Sequence, residues 1–255
     1  MKTLTFYNEK GGVGKSSHCV LAASYLRYAL GKNVVVFDFD APMFRVYDYR
    51  LREQALLADA DANRNLVRHL RRDLDPYKVC RISPDGPMNS FTRELVLREI
   101  VPVLNNMESS SMVDYVIFDF PGRFDREDIM ATLVRERGID FVAVPFSTNR
   151  ASVMSGLYVS LCLRQLGVEC HPFFNKLTRA EQQDPGNRFC SSMEDLFRQQ
   201  GFDVLGTRIK TFNSMDRESS EQFFVQSTFC WPATNVDRLC PELVTLYDEI
   251  LGMIK

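Results

Sequence analysis

The stretch YNEKGGVGKSSH, residues 7–18, places Gly11, Gly12 and Gly14 within four positions, directly after the apolar run Leu4 to Tyr7 and directly before a helical pattern. A strand that feeds a glycine-rich loop and then a helix turns backbone N–H groups and a helix N-terminus toward one point, and that point suits an anion. Glycine lets the backbone approach a ligand and take dihedrals that a side chain would forbid. The segment therefore predicts a phosphate-holding loop at the start of an α/β unit. Two lysines five apart, Lys10 and Lys15, bracket the glycines and need separate explanations.

The rest of the chain supplies the expected context. Short β-rich runs recur at Thr3 to Tyr7, Asn33 to Phe39, Tyr77 to Ile82, Asp114 to Phe120, Asp140 to Pro145, Glu169 to Phe174 and Asp203 to Ile209. Helical patterns lie between them, such as Ser16 to Leu30, ended by Gly31, and Ser152 to Leu166, ended by Gly167. Near-continuous apolarity in the strand runs predicts strands covered on both faces. The expected fold is a doubly wound, mostly parallel α/β sheet with helices on both faces. With 255 residues, 45% of them hydrophobic, one core suffices, and a single domain over residues 1–255 is expected. The runs ESSSM (108–112) and SPDGP (83–87) read as loops within it.

Charge is nearly balanced, 31 Lys and Arg against 33 Asp and Glu, so bulk electrostatics do not announce a nucleic-acid binder and any basic site must be local. The seven cysteines, Cys19, Cys80, Cys162, Cys170, Cys190, Cys230 and Cys240, never form C-x-x-C and read as reduced, buried thiols. His18, His69 and His171 show no ligand spacing, and Trp231 reads as a packing residue. There is no charged leader before a long apolar segment and no run of the roughly 18 apolar residues that a membrane span needs. A cytoplasmic protein is expected.

The loop also carries specific chemistry. The P-loop spacing G-x-x-x-x-G-K-S/T fits at Gly14, Lys15 and Ser16, but Glu9 stands where its first glycine belongs. Lys15 can reach the β- and γ-phosphates, the Ser16 hydroxyl can ligate Mg²⁺, and Gly11, Gly12 and Gly14 admit the backbone.

KGGVGKSS resembles the deviant Walker A motif of the ParA/MinD family of P-loop ATPases, with Lys10 at the family's signature lysine. The resemblance runs from Met1 to roughly Asp216 and implies a nucleotide site of Gly11, Gly12, Val13, Gly14, Lys15, Ser16 and Ser17 with ATP and Mg²⁺ as cofactors. It further implies that Lys10 reaches across an ATP-bound homodimer to the partner's nucleotide, in the manner of an arginine finger. VVVFDFDAP is similar to the family's next element: Asp38 would lie near Mg²⁺ and Asp40 would orient the attacking water, with Ala41 interrupting the usual D-x-D-P-Q. DYVIFDFPG resembles a Walker B strand ending in Asp119, which would hold Mg²⁺ through water, followed by Pro121 and Gly122 of switch II. Asn175, at the end of CHPFFN, matches a family asparagine that reads the adenine edge.

Family members use ATP-dependent dimerisation to bind a surface and hydrolysis to leave it, so the resemblance implies a switch ATPase acting in plasmid or DNA partitioning with a stimulating adaptor protein. In NRNLVRHLRRDL, Arg64, Arg68, Arg71 and Arg72 share one helical face and would grip DNA phosphates without reading bases, giving a nucleoid-associated protein. The last residues, CPELVTLYDEILGMIK, are too acidic for an anionic membrane surface and read as a docked core helix. FPGRFDRED has no cysteine just after switch II, where the iron–sulfur branch of the superfamily needs one, and the tail lacks the tyrosines of bacterial tyrosine kinases. The second reading is a nucleotide-gated scaffold with weak hydrolysis, serving conjugative DNA transfer or the positioning of another assembly.

Overall fold

The structure, a computed structural model, describes residues 1–59, 76–86, 91–122, 129–183, 188–211 and 241–254. Six strands form one parallel sheet in the order β3-β2-β4-β1-β5-β6. They are β1 (Lys2–Phe6), β2 (Val34–Asp38), β3 (Lys78–Arg81), β4 (Tyr115–Asp119), β5 (Phe141–Phe146) and β6 (Cys170–Phe174). Among the described residues the helices are α1 (Lys15–Ser24, with a π-wound continuation Tyr25–Ala29), α2 (Arg45–Ala58), α3 (93–110), α4 (Ile129–Glu136), α5 (Arg150–Gln165), α6 (Arg179–Gln183), α7 (Arg188–Gln199) and α8 (Pro241–Met253). In α3 the segments Arg93–Leu95, Val96–Ile100 and Val101–Ser110 run on, the middle one π-wound. No helix among the described residues is long and apolar enough to cross a membrane.

Period-two alternation along buried strands divides the core in two. Leu4, Phe6, Val34, Val36, Ile117 and Phe173 face α1 and α8, while Val35, Phe37, Val116, Phe118, Val144 and Phe174 face α3, α4, α5 and α7. On the second face the rings of Phe37, Phe39, Phe118 and Phe120 stack at centroid distances of 5.2–6.3 Å. Each such ring stabilises the fold by about 1.5–3 kcal/mol through burial. Asp140 fastens the start of the sheet, its Oδ2 accepting the Thr3 N–H at 2.8 Å and the Thr3 hydroxyl at 2.7 Å.

Six of the seven expected strands form. The seventh, Asp203 to Ile209, runs along the outer edge of β6 and donates Leu205 N–H to Pro172 O and Ile209 N–H to Phe174 O, but does not become a regular strand. Pro172 has no N–H to return to it, and the Glu249 carboxylate binds the N–H groups of Gly206 and Thr207 instead. The expected loop at 108–112 is also shorter, because α3 continues to Ser110 and turns at Ser111, φ 54°. Gly31 and Gly167 do take positive φ after their helices, 65° and 76°.

Because β1 lies between β4 and β5 while the chain moves from β1 to β2 and outward, the sheet reverses its winding direction beside β1. In open α/β sheets the crevice at the carboxyl ends of strands at such a point is the place for a ligand. The glycine loop, Asp38, Asp119 and Pro145 all lie at or just beyond those ends.

Candidate functional site

β1 runs out into Tyr7 and Asn8, both fully buried. The Asn8 amide holds the chain at this point: Oδ1 accepts the Lys10 N–H at 3.0 Å and the Ser155 hydroxyl at 2.6 Å, and Nδ2 donates to Pro145 O at 2.8 Å. The loop is thereby anchored to the end of β5 and to α5. Gly12 and Gly14 have φ of 77° and 97°, which no side chain tolerates without strain. A Cβ on Gly14 would also lie 2.5 Å from Asn175 Nδ2. α1 then begins at Lys15 with Gly14 as its N-cap, a residue with no side chain to offer the N–H groups of the first turn.

Lys15 folds back over the loop, with Nζ 3.4 Å from the Lys10 carbonyl. Gly122, just after β4, packs so closely that a Cβ there would sit 2.9 Å from Lys15 Nζ and 3.0 Å from Glu9 O. Burial pushes the Lys15 ammonium below its ordinary value, against the attraction of Asp119 and Asp40. Lys10, by contrast, is exposed.

The carboxylates stand opposite. Asp38 and Asp119 are partners in the register of β2 and β4, which places both at the same level of the sheet. Burial is the largest influence on each and pushes each upward, Asp119 to about 8 with Asp38 as the next contributor. Asp38 is committed to the backbone: Oδ1 accepts Asp40 N–H and Oδ2 accepts Tyr47 N–H, both at 3.0 Å, which fixes the start of α2. Asp40 is half-buried and also raised by burial, with Lys15 and the exposed Arg45 pulling the other way.

Asp119 has a different environment. Its Oδ1 faces the Cys19 thiol at 3.7 Å, and the Ser16 side chain hydrogen-bonds to the carboxylate. Its Oδ2 is buried with no hydrogen-bond partner among the described residues. Such an atom is costly unless something binds it, and a hydrated cation meets that need. Among the described residues no three His, Cys, Asp or Glu side chains converge on a metal position. The Ser16 hydroxyl and the open Asp119 oxygen fit Mg²⁺, which keeps several waters and takes one or two carboxylates plus phosphate oxygens.

The structure thus brings together Lys15, Ser16, Asp38, Asp40 and Asp119 around Gly11–Gly14. Ser17 and Val13 belong to the same loop, Ser17 exposed and Val13 buried. Asn175 comes to this loop as well, but its Nδ2 donates to Val13 O at 2.7 Å and the residue is buried. An amide expected to present a free donor and acceptor to a base has one of its N–H groups bound inside the protein. Gly14, Ser17, Asn175, Lys176, Ile209 and Leu243 border a small depression beside the loop. Arg64, Arg68, Arg71 and Arg72 lie outside the described residues, as do His69, Cys230, Trp231 and Cys240. Cys19, Cys170 and Cys190 are buried and outside any disulfide, as expected, whereas Cys80 and Cys162 are half-buried.

Sequence reasoning passed over Asn8, Ser155 and Tyr247. Asn8 carries a usable signal, an asparagine two residues ahead of a loop backbone N–H, the spacing of an Asx turn. Ser155 and Tyr247 reach the site only through tertiary contacts, with no local pattern to mark them.

No protein-family model and no curated protein sequence matches the chain. Among solved structures, the chain is similar to the MinC:MinD cell division complex of Aquifex aeolicus, with a TM-score of 0.61 at 15% identity over 99% of this chain and 95% of the other. pNOB8 ParA bound to nonspecific DNA gives 0.57 at 16% identity over 99% and 98%. A plasmid partition protein of Borrelia burgdorferi bound to AMPPNP gives 0.52 at 15% identity over 99% and 97%. The chain has the MinD and ParA fold, an α/β sheet wound on both faces.

Proposed function

We propose that the chain is a Mg²⁺-dependent, ATP-hydrolysing switch of the ParA/MinD kind, closing into a homodimer on ATP and acting in plasmid or DNA partitioning or positioning. The observation that carries this reading is the meeting of Lys15, Ser16, Asp40 and the unpartnered Asp119 oxygen at one glycine loop. The fold likeness supports it, since structures of that fold include one with AMPPNP and one with nonspecific DNA.

In this reading the N–H groups of Gly11 to Ser17 receive the phosphates, and Lys15, already turned over the loop, neutralises the β- and γ-phosphate charge. Ser16 and Asp119 would hold Mg²⁺, which supplies charge neutralisation on the phosphate oxygens, while Asp38, expected as a further ligand, gives both oxygens to backbone N–H groups and stands beside the ion. Asp40, raised by burial yet within the influence of Lys15, holds and orients the attacking water. Lys10 is exposed on the rim, where a partner subunit's nucleotide could meet it. A stimulating adaptor protein and nonspecific DNA, through Arg64, Arg68, Arg71 and Arg72, are the partners that this reading assigns.

Phosphate release from ATP with Mg²⁺ tests the reading. Wild type should turn over, Lys15→Ala and Asp40→Ala should lose at least about tenfold of that rate, and nonspecific DNA should stimulate it. Unchanged turnover in Asp40→Ala would remove that residue from the mechanism. Lys10→Ala should stay monomeric with ATP by light scattering. The departure D-F-D-A-P favours a second reading, a nucleotide-gated scaffold whose slow hydrolysis sets only a lifetime, and a dimer that forms with ATP but turns over negligibly with DNA present would select it.

A further inference from the structure

His18 stands three residues after Lys15, on the first turn of α1, and is 2% exposed. It stacks on Phe6 at 5.2 Å and meets Phe173 edge-on at 5.1 Å. Its Nδ1 lies 3.0 Å from the hydroxyl of Tyr247, a residue of α8 more than two hundred positions away in the chain. Its other side-chain hydrogen bond is to Asn175. As a neutral imidazole enclosed by these rings it has one N–H donor and one bare nitrogen.

One proton arrangement satisfies these contacts. With His18 as the Nε2–H tautomer, Tyr247 would donate its O–H to Nδ1 and Nε2–H would donate to the Asn175 side chain, whose amide N–H donates to Val13 O at 2.7 Å. The last bond acts on the glycine loop directly. The Val13–Gly14 peptide is planar and trans, so drawing the Val13 carbonyl toward Asn175 aims the Gly14 N–H the opposite way. Gly14 has a φ of 97°, a setting that needs such a hold because the alternative peptide orientation is open to glycine.

α8 is itself docked by polar side-chain contacts, one of which reaches the other wall of the depression. Tyr25 donates to Asp248 at 2.6 Å, Glu249 accepts from Gly206 and Thr207, and Glu242 pairs with Lys210 at 2.9 Å. Lys210 borders the depression that Gly14 and Asn175 share, and Leu243 of α8 lines it from the same side. The C-terminal helix and the phosphate loop therefore share one buried polar chain and one wall.

We propose that Tyr247, His18 and Asn175 are positioning residues that set the Gly14 peptide and thereby couple nucleotide binding in the loop to docking of the C-terminal helix. The inference rests on the nucleotide-binding reading above. By linkage the coupling is reciprocal: whatever a docked α8 adds to nucleotide affinity, bound nucleotide adds to the docking of α8. The role of Asn175 here is to hold the loop.

The test combines three measurements on the full chain. Nitrogen-15 NMR of the nucleotide-free protein at neutral pH should find His18 in the Nε2–H tautomer, and Tyr247→Phe, which keeps the ring but removes the hydroxyl, should shift the tautomer balance. Hydrogen exchange should show the α8 amides of the wild type exchanging at least about tenfold more slowly with Mg²⁺ and a non-hydrolysable ATP analogue. In Tyr247→Phe that protection should fall, and affinity for the analogue should drop by about five- to tenfold. Should Tyr247→Phe prove unstable, His18→Gln replaces it with the same expectation for exchange and affinity. The coupling is overturned if the analogue binds wild type without changing α8 exchange, if Tyr247→Phe binds and protects as wild type does, or if His18 is the Nδ1–H tautomer; the ATPase reading survives all three. Absence of any analogue binding to wild type would overturn both.

Discussion

Replacing Asp119 with asparagine should stabilise the nucleotide-free protein, and the gain should depend on pH. Asp119 is fully buried beside Asp38, with one oxygen lacking a hydrogen-bond partner among the described residues, and its pKa is pushed from 3.8 to about 8. Between those two values the native state retains a proton that the unfolded chain has released, so the group lowers stability progressively as pH rises through that window. At about 1.4 kcal/mol for each pH unit, the ceiling is about 6 kcal/mol above pH 8. Water entry and relaxation reduce this, so Asp119→Asn should gain about 2–4 kcal/mol at pH 8 and under about 1 kcal/mol near pH 5. Reversible urea denaturation from pH 5 to 8.5 on both proteins, without nucleotide, reads the difference directly. Mg²⁺ with ATP should narrow it, because the wild-type carboxylate gains a cation and the amide does not. A variant less stable than wild type at pH 8, or a difference that is flat across the range, would refute the claim that this carboxylate is held under strain for a ligand.

Three further outcomes follow from the geometry. Gly14→Ala combines φ of 97° with a Cβ 2.5 Å from Asn175, so it should abolish nucleotide binding and cost about 1–3 kcal/mol by denaturation. Asp140→Ala leaves the Thr3 N–H and hydroxyl without their acceptor and should cost about 1–3 kcal/mol while leaving nucleotide affinity unchanged, which separates sheet stability from the site. Cys170 is buried with its pKa raised to about 11, and Cys19 is fully buried and raised as well, so peptide mapping after brief native alkylation at pH 8 should find both unlabelled. Labelling at Cys19 would mean that α1 opens beside the loop.

Much of the architecture is legible in single residues. VVVFD and YVIFD alternate between two cores because a pleated strand sends neighbours to opposite faces, and continuous apolarity reports that both faces are covered. Gly31 and Gly167 mark helix ends because positive φ is cheap only for glycine. Asp203 to Ile209 failed as a strand despite its pattern, because strand formation needs a partner with N–H groups to offer and Pro172 has none.

The sequence by itself determined the loop: three glycines between a strand and a helix, followed by Lys15 and Ser16, encode local backbone freedom and one long cation within eight residues. It also placed Asp38, Asp40 and Asp119 at strand ends. Only the tertiary structure decided that Asp38 and Asp119 stand side by side, that Gly122 packs against Lys15 Nζ and the Glu9 carbonyl, and that Asn8 and Asn175 hold the loop from two sides. The reason is physical. Conformational preference is a property of neighbours along the chain, whereas burial, pKa and hydrogen-bond partnership depend on residues such as Tyr247 that the fold brings in from more than two hundred positions away.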